Sequence, residues 1–277
     1  MSTTLLQDRQ GYIWIGSVDG LSRYDGYSFL KINHQPGKKN SLPNNTVYSL
    51  VEDSDGYIWM GQISGYVTRL NPRTLEVKSI QIPEGKNWDV GRVFADSQKR
   101  IWASVSGIGL FLLEGERFRF ISPVPDLPQM AVREPNWYNS ILSFYEAPDH
   151  TIWLGTSNGL HQLDPIAHQI KKVTVFNENV NDPIPIQSIA TIDGVTFWCG
   201  TYSNGLLRYN TQTGEWKRFL FQTGPPGTTN IVNKVVVRSD DELWVGTSGK
   251  GGGLFDIDEE RFSFYYEPND FDTGPIC

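Results

Sequence analysis

The chain has 277 residues, of which 39% are hydrophobic and 13% aromatic, enough to build a buried core. Its formal net charge of −7 at pH 7 is opposite in sign to the basic surface that nucleic acids or anionic membranes attract, so neither is expected as a partner of this segment. No apolar run reaches the length of a membrane span, no secretory leader opens the chain, and the two cysteines, Cys199 and Cys277, make no disulfide framework.

A tryptophan recurs along the whole chain at intervals of 43 to 51 residues, at Trp14, Trp59, Trp102, Trp153, Trp198 and Trp244. A period of this length is typical of propellers and solenoids, whose repeats cannot bury their apolar faces alone. We expect these indoles to fill the space between neighbouring repeats, and the glycine that follows two residues later in five of the six to let the next sheet come close.

The second repeat shows the predicted elements in chain order. Apolar and β-branched runs at 46–52, 57–61, 66–70 and 75–80 predict four strands. The turn after the first strand is Asp53-Ser54-Asp55-Gly56, and glycine-containing or proline-containing turns separate the others. Four antiparallel strands in about 45 residues form the blade of a β-propeller.

The sequence therefore predicts an all-β protein, a β-propeller of four-stranded antiparallel blades with six repeats visible, in one domain spanning 1–277. The repeats are placed at 2–44, 45–87, 88–138, 139–184, 185–230 and 231–277. The first repeat begins in its inner strand and the last ends in its outer strand, so no strand from one end completes a blade at the other. We expect this segment to be part of a longer, seven-bladed propeller, the alternative being a closed ring of six blades.

Four sequence segments resemble a known repeat family: residues 7–16, 19–29, 41–45 and 52–59. They resemble the two-component-regulator propeller repeat, which forms the periplasmic sensor region of bacterial hybrid histidine kinases and some membrane diguanylate cyclases. The resemblance implies a periplasmic location, a nutrient cue such as a glycan fragment, and output chemistry in other domains. It also implies contact with a neighbouring propeller or β-domain of the same receptor, and a homodimer as a possible assembly.

The candidate binding residues lie where propeller loops are longest, on the face that carries the connections between blades. On this face we single out aromatic and cationic side chains outside the framework positions, since function is usually grafted onto variable loops. Arg92 and Lys234 occupy an inner-strand position that holds Thr4, Ser49, Ser143 and Ser188 in the other repeats, and we expect these two cations to line the central channel and attract an anion or a hydroxyl-rich ligand. The predicted ligand-binding residues are Trp88, Arg92, Arg133, Trp137, Tyr138, Tyr202 and Lys234. The alternative is that the aromatic side chains pack inside the small apolar cores of their own loops and that the two cations point into water.

Other motifs are better explained as structure. The turn at Asp53 lacks the third acid and distal glutamate of a calcium loop, and a plain hairpin turn is favoured. The stretch 246–253 has the wrong spacing for a phosphate loop and is interpreted as a flexible inter-strand loop. The four histidines show no metal-ligand spacing; His161 is expected to face solvent, and Cys199 to be a small buried hydrophobe.

These observations favour a ligand-sensing module without a catalytic role for this segment, and no cofactor or metal is expected. The expected ligand is an oligosaccharide or another small polar molecule. Two alternatives stay open: a protein-interaction scaffold, and a propeller enzyme similar to the streptogramin lyases, which would need a histidine, glutamate and magnesium site.

Overall fold

The computed structural model describes residues 2–38, 40–122, 140–173, 184–221 and 230–265. The strands in these ranges are β1 (Ser2–Gln7), β2 (Ile13–Ser17), β3 (Gly20–Tyr24), β4 (Phe29–Ile32), β5 (Val47–Glu52), β6 (Ile58–Gln62), β7 (Tyr66–Leu70), β8 (Val77–Gln81), β9 (Val90–Ala95), β10 (Ile101–Val105), β11 (Gly109–Glu114), β12 (Arg117–Ser122), β13 (Ile141–Glu146), β14 (Ile152–Thr156), β15 (Gly159–Asp164), β16 (Gln169–Val173), β17 (Ile186–Thr191), β18 (Thr196–Thr201), β19 (Leu206–Asn210), β20 (Trp216–Phe219), β21 (Val232–Val237), β22 (Glu242–Thr247), β23 (Gly251–Asp256) and β24 (Arg261–Phe264). One short 3-10 turn lies at Pro83–Gly85. No helix among the described residues has the length and hydropathy to cross a membrane.

The described strands form six four-stranded sheets, and each sheet consists of four strands that are consecutive in the chain. Blade 1 contains β1–β4, blade 2 contains β5–β8, and the series continues to blade 6 with β21–β24. Neighbouring strands pair antiparallel in their sequence order, for example β5 with β6 and β6 with β7. This is the blade architecture, and the predicted all-β propeller fold is confirmed.

The predicted strands of the second repeat agree with the structure to within two residues. The third strand, 66–70, has the predicted bounds, whereas the fourth begins at Val77 instead of residue 75. The reason is local: Leu75 has a φ of +60°, which belongs to a turn rather than to a strand. The stretch 246–253, expected to be a flexible loop, is mostly strand, since β22 ends at Thr247 and β23 begins at Gly251.

The chain divides into two compact units, Met1–Ile141 and Leu142–Cys277. In the first unit, one apolar cluster lies between blades 1 and 2 around Trp14 and Met60, and another lies between blades 2 and 3 around Trp59 and Phe111. The second unit repeats this arrangement, with clusters between blades 4 and 5 and between blades 5 and 6. Each cluster joins one face of a blade to the opposite face of the next, so neighbouring blades share their cores.

Trp14, Trp59, Trp153 and Trp198 lie in these inter-blade clusters, and five of the six recurring tryptophans are buried. Trp14, Trp59, Trp102, Trp153 and Trp198 are at most 4% exposed. Trp244 departs from the expectation, because 41% of it is exposed. Its own blade covers it only in part, through Tyr265 at a ring distance of 5.5 Å and the guanidinium of Arg238 at 5.3 Å.

The glycine two residues after the tryptophan permits close approach of the next blade, as expected. A Cβ built on Gly61 would lie 2.5 Å from the carbonyl oxygen of Val90, the first residue of the next inner strand. The same test gives 2.6 Å between Gly200 and the carbonyl oxygen of Val232. These distances are below van der Waals contact, so a side chain at either position would push two blades apart.

An aspartate six residues before the tryptophan fixes the first turn of blades 1, 2 and 3. Asp53 accepts hydrogen bonds from the backbone N–H of Asp55 at 2.9 Å and of Tyr57 at 3.0 Å, and from the indole Nε1–H of Trp59 at 2.7 Å. Asp8 and Asp96 make the equivalent bonds to their own turns and indoles. The turn at Asp53 is therefore a capped hairpin, which confirms the structural interpretation of this motif.

Candidate functional site

The loop face is defined as the set of blade ends that carry the turns between second and third strands and the connections between blades. Three of the connections are each closed by one backbone bond: Gly20 N–H donates to the carbonyl of Asn45 at 2.8 Å, and Gly205 N–H to that of Asn230 at 2.8 Å. Gly65 N–H donates in the same way to Trp88 at 2.7 Å. Trp88 thus occupies a loop-closing position, and its half-buried side chain packs against the cluster between blades 2 and 3. A part of its role is structural, and its contribution to ligand binding stays a prediction.

The long loop 33–45 on this face is organised by its own contacts. Leu42 is fully buried in the cluster between blades 1 and 2. Asn45 Oδ1 accepts the backbone N–H of His34 at 2.7 Å, and Asn40 Oδ1 accepts that of Val77 at 2.6 Å. This loop is therefore held by one buried apolar side chain and by side-chain hydrogen bonds to its own and neighbouring backbone.

The inner strands of blades 2 and 5 carry a hydroxyl side chain opposite the glycine that follows the recurring tryptophan by two residues. Ser49 pairs with Gly61 and Ser188 with Gly200, which confirms the alignment read from the sequence. Ser49 Oγ accepts the backbone N–H of Val93 on the next inner strand at 3.0 Å, and Ser188 Oγ accepts that of Val235 at 3.1 Å. These hydroxyl groups tie the inner strands of adjacent blades together.

Blade 3 differs from blades 2 and 5 at this position. Arg92 occupies the position of the inner-strand hydroxyl and pairs with Ser104, which replaces the glycine. Ser104 Oγ accepts the backbone N–H of Ile141 at 3.3 Å. Ile141 is the first residue of β13, whereas Ser49 and Ser188 bond the fourth residue of the next inner strand, so Ser104 does not replace the hydroxyl group that is missing at position 92.

The guanidinium of Arg92 lies in a partly buried setting on β9. Its Nη1–H donates to the carbonyl of Gly91 at 2.8 Å, and burial lowers the pKa of the guanidinium from its ordinary value. Burying a charge is unfavourable unless polar groups compensate it. A cation in such a place is a candidate for binding carboxylate or hydroxyl groups.

A β-bulge precedes this position in the inner strands, and its extra residue varies from blade to blade. The register shifts between Val47 and Ser49, which makes Tyr48 the extra residue in blade 2, and Gly91 is the extra residue in blade 3. Bulges re-aim side chains and are common beside functional sites. The lack of a side chain at Gly91 leaves room next to Ser106, whose Oγ would be 3.2 Å from a Cβ there.

Polar groups from blades 2 and 3 meet at Asp89, three residues before Arg92 in the chain. The phenol of Tyr48 is hydrogen-bonded to the carboxylate of Asp89, and burial, together with that negative charge, raises the pKa of Tyr48. The backbone N–H of Ser106 donates to the carbonyl of Asp89 at 2.9 Å. We call Tyr48, Asp89, Arg92 and Ser106 the Arg92 cluster. The sequence analysis found only Arg92, because the bulge that brings in Tyr48 has no signal in the residue pattern.

The remaining predicted site residues lie in the second unit or outside the described ranges. Tyr202 follows β18 in a loop-face turn and is 51% exposed, and Lys234 is exposed on β21 opposite Gly246. Arg133, Trp137 and Tyr138 lie outside the described residues. The described part thus places Trp88 and Arg92 together at the start of blade 3, and Tyr202 and Lys234 in blades 5 and 6.

Two expectations about reactive side chains have different outcomes. His161 is fully buried rather than solvent-facing, because it pairs with the buried Leu154 on a covered face of blade 4, and its Nδ1 lies 3.3 Å from the hydroxyl of Thr156. Cys199 is fully buried as expected, and burial raises the pKa of its thiol to about 12. Within the described ranges, no three His, Cys, Asp or Glu side chains come together in a way that could hold a metal ion.

Comparison with known proteins confirms the resemblance to the repeat family in three segments. The family model described as two component regulator propeller matches residues 1–19, 41–63 and 137–158. A histidine kinase P4 from Formosa agariphila is 30% identical over 128 residues, which is 41% of this chain and 9% of the kinase. The chain therefore spans a small part of that relative.

Solved structures show the same fold at low sequence identity. The extracellular domain of the hybrid two component system BT3049 from B. thetaiotaomicron superposes with a TM-score of 0.73 at 22% identity, over 96% of this chain and 35% of that one. Virginiamycin B lyase from Staphylococcus aureus gives a TM-score of 0.72 at 14% identity, over 96% of this chain and 84% of the lyase. Both similarities concern the propeller fold.

Proposed function

We propose that this chain is a ligand-sensing propeller module of a bacterial two-component receptor, located outside the cytoplasm, with no catalytic role of its own. The three segments that match the two-component-regulator repeat support the signalling context. The kinase relative and the extracellular-domain structure support the same reading. Neighbouring domains of the same receptor, or a second copy, are the proposed recipients of the signal.

The observation that carries a binding role is the replacement of the inner-strand hydroxyl by an arginine in blade 3. Ser49 and Ser188 hold this position in blades 2 and 5 and bond the next inner strand, whereas blade 3 has Arg92 there. The arginine is then an added, partly buried charge at the loop-face end of blades 2 and 3. A position that holds a small hydroxyl side chain in blades 2 and 5 carries a partly buried cation in blade 3, and such departures from a repeated framework are typical of recognition sites.

The chemistry of the Arg92 cluster fits a ligand rich in hydroxyl or carboxylate groups, such as a glycan fragment. Guanidinium groups bind paired oxygens in a fixed geometry, and carboxylate and phenol groups accept and donate hydrogen bonds to hydroxyls. Trp88 is next to Asp89 in the chain and supplies an aromatic surface at the same edge. Arg133, Trp137, Tyr138, Tyr202 and Lys234 stay sequence-based candidates for ligand contact in this proposal.

Isothermal titration against a panel of neutral and acidic oligosaccharides tests this proposal. Arg92→Met removes the charge and keeps an unbranched side chain, and we expect at least about a tenfold loss of affinity for the oligosaccharide that binds. Arg119→Met, at an exposed outer-strand arginine of the same blade, is the matched control and should bind like the unmodified protein.

The second arm concerns the aromatic residues predicted from the sequence. Trp137→Ala with Tyr138→Ala should abolish binding and leave the melting temperature nearly unchanged. Loss of the fold in this double variant would assign both residues to the core. If no oligosaccharide binds and light scattering shows complexes only with protein partners, the sensor proposal is replaced by the scaffold alternative.

A further inference from the structure

Blade 4 has a cavity of about 310 Å³ at its turn face, which we define as the blade end opposite the loop face. Residues of the turn between β13 and β14 and of the turn between β15 and β16 line it. Blade 2 has a cavity of about 240 Å³ at the same place. Residues 55–57 and 71–73 line that cavity, and they correspond to residues 149–151 and 164–166 of blade 4 when the strand pairs are aligned. The two cavities can therefore be compared position by position.

A stacked arginine and tyrosine lie beside these turns in blade 2 and are replaced in blade 4. The guanidinium of Arg69 lies 4.5 Å from the ring centre of Tyr57, and blade 1 has an equivalent stack at 4.4 Å. The arginine is the third-strand residue that pairs with the recurring tryptophan, and in blade 4 this position holds Gln162. Thr151 takes the place of the tyrosine. Both replacements are shorter, so they leave open a space that the stack occupies in blades 1 and 2.

The blade 4 cavity extends along the third and fourth strands of its sheet. Gln162 of β15, and Gln169 and Lys171 of β16, line it, whereas the lining of the blade 2 cavity contains no residue of β7 or β8. These three side chains make no hydrogen bond or ion pair with another residue in the described part of the chain. Polar side chains that converge on a cavity and are not used by the protein itself are available to a ligand.

The cavity also holds a carboxylate that the backbone fixes in place. Asp164 Oδ1 accepts the backbone N–H groups of Ile166 and Ala167, each at 2.8 Å. These bonds lower the pKa of Asp164, with smaller contributions from the positive charges of His168 and Lys171, so the carboxylate is ionised at neutral pH. Lys171 thus acts on this carboxylate from a distance, without an ion pair to it. An ammonium group and a carboxylate line one cavity and stay apart.

We propose that this cavity binds a free amino acid, with the ligand's ammonium group on Asp164 and its carboxylate on Lys171. Separated charges of opposite sign fit a ligand that carries both, because a simple cation or anion would leave one protein charge facing its own sign. Asp149 lines the same cavity and adds a second acceptor for the ammonium group, and the amides of Gln162 and Gln169 can bond either end of the ligand. The cavity volume is at the lower end of the range for ligand sites, roughly 300–1,000 Å³, and suits a molecule of this size.

Titration calorimetry of the unmodified protein against each of the standard L-amino acids tests the proposal. We expect at least one of them to bind. Its N-acetyl derivative and its C-terminal amide, which each lack one of the two charges, should bind at least about tenfold more weakly. The proposal is overturned if no amino acid binds at millimolar concentration, or if either derivative binds as tightly as the free amino acid.

Two variants of blade 4 locate the bound amino acid. Lys171→Met removes the partner of the ligand carboxylate and should weaken binding at least about tenfold. Lys172→Met is the matched control, since Lys172 is the next residue of β16 and does not line the cavity. Gln162→Arg with Thr151→Tyr restores the stack of blades 1 and 2 and should abolish binding without lowering the melting temperature. Equal affinities of the two lysine variants, or a folded double variant that still binds, overturn the proposal.

The amino-acid site is separate from the proposed oligosaccharide site, because it consists of blade 4 residues alone and the Arg92 cluster belongs to blades 2 and 3. Arg92→Met should therefore bind the amino acid like the unmodified protein, and Lys171→Met should bind the oligosaccharide unchanged. Loss of amino-acid binding in Arg92→Met would place the amino acid in the Arg92 cluster and overturn the proposal. Failure of oligosaccharide binding alone would overturn only the proposed function.

Discussion

The aspartate that caps the first turn makes the most quantitative prediction about the framework. Asp53→Ala removes the acceptor of three hydrogen bonds, two from turn amides and one from the indole of Trp59. The turn amides can bind water instead. The indole belongs to a side chain that is 4% exposed, so its N–H loses its partner without replacement.

The expected cost follows from these contacts. A buried donor left unsatisfied costs about 1–3 kcal/mol, and loss of the charged acceptor at the turn adds to it, giving roughly 2–4 kcal/mol in total. For a domain of this size, each kcal/mol lowers the melting temperature by about 2–4 °C. We therefore expect Asp53→Ala to melt roughly 5–15 °C below the unmodified protein.

Thermal unfolding followed by circular dichroism measures this change, and the same turn offers a control. Asp55→Ala removes an exposed carboxylate whose ion pair with Lys99 is also exposed, so it should change the free energy of unfolding by less than about 1 kcal/mol. Equal melting temperatures for the two variants would refute the assignment of Asp53 as the cap that holds the indole.

Three further predictions concern other parts of the molecule. Ser49→Ala leaves the backbone N–H of Val93 without its acceptor and should cost about 1–3 kcal/mol in urea unfolding, whereas the exposed Ser54→Ala should be neutral. Cys199 should not react with a thiol reagent in the folded protein at pH 8. Because folding raises the pKa of this thiol from 9.0 to about 12, its contribution to the free energy of unfolding should be full below pH 9 and fall as the pH rises towards 12; unfolding measured as a function of pH checks this. Tyr202→Ala should weaken the binding of an oligosaccharide without changing the melting temperature, since the side chain is 51% exposed; an unchanged affinity in titration calorimetry would remove Tyr202 from the site.

The framework could be predicted from the sequence because it repeats. Trp14 and most of its counterparts occur with a glycine two residues later, and the same packing between blades recurs at several of them. The period of this pattern therefore predicts the number of blades and the alignment of their strands. The aspartate six residues before Trp14, Trp59 and Trp102 is also visible in the sequence, although its bond to the indole requires the structure. The third repeat keeps this cap even though Lys99, at a φ of +64°, replaces the turn glycine.

The site could be predicted only in part, because it depends on departures from the repeat. Arg92 is visible as an exception to the inner-strand pattern. The structure adds that this arginine pairs with Ser104 across the strands and that its guanidinium is partly buried. Tyr48 and Asp89 come together through a bulge and a contact between blades, which no local pattern encodes. Burial of His161 likewise follows from packing on both faces of its sheet.

Hydrogen exchange with and without a bound oligosaccharide tests the division of this molecule into a structural framework and a binding face most directly. With the oligosaccharide that binds in titration calorimetry, we predict added protection at the loop face, centred on residues 88–92 and 106, and unchanged exchange in the capped turns at 53–57 and 96–100. Protection confined to those capped turns, with none at 88–92, would contradict the account.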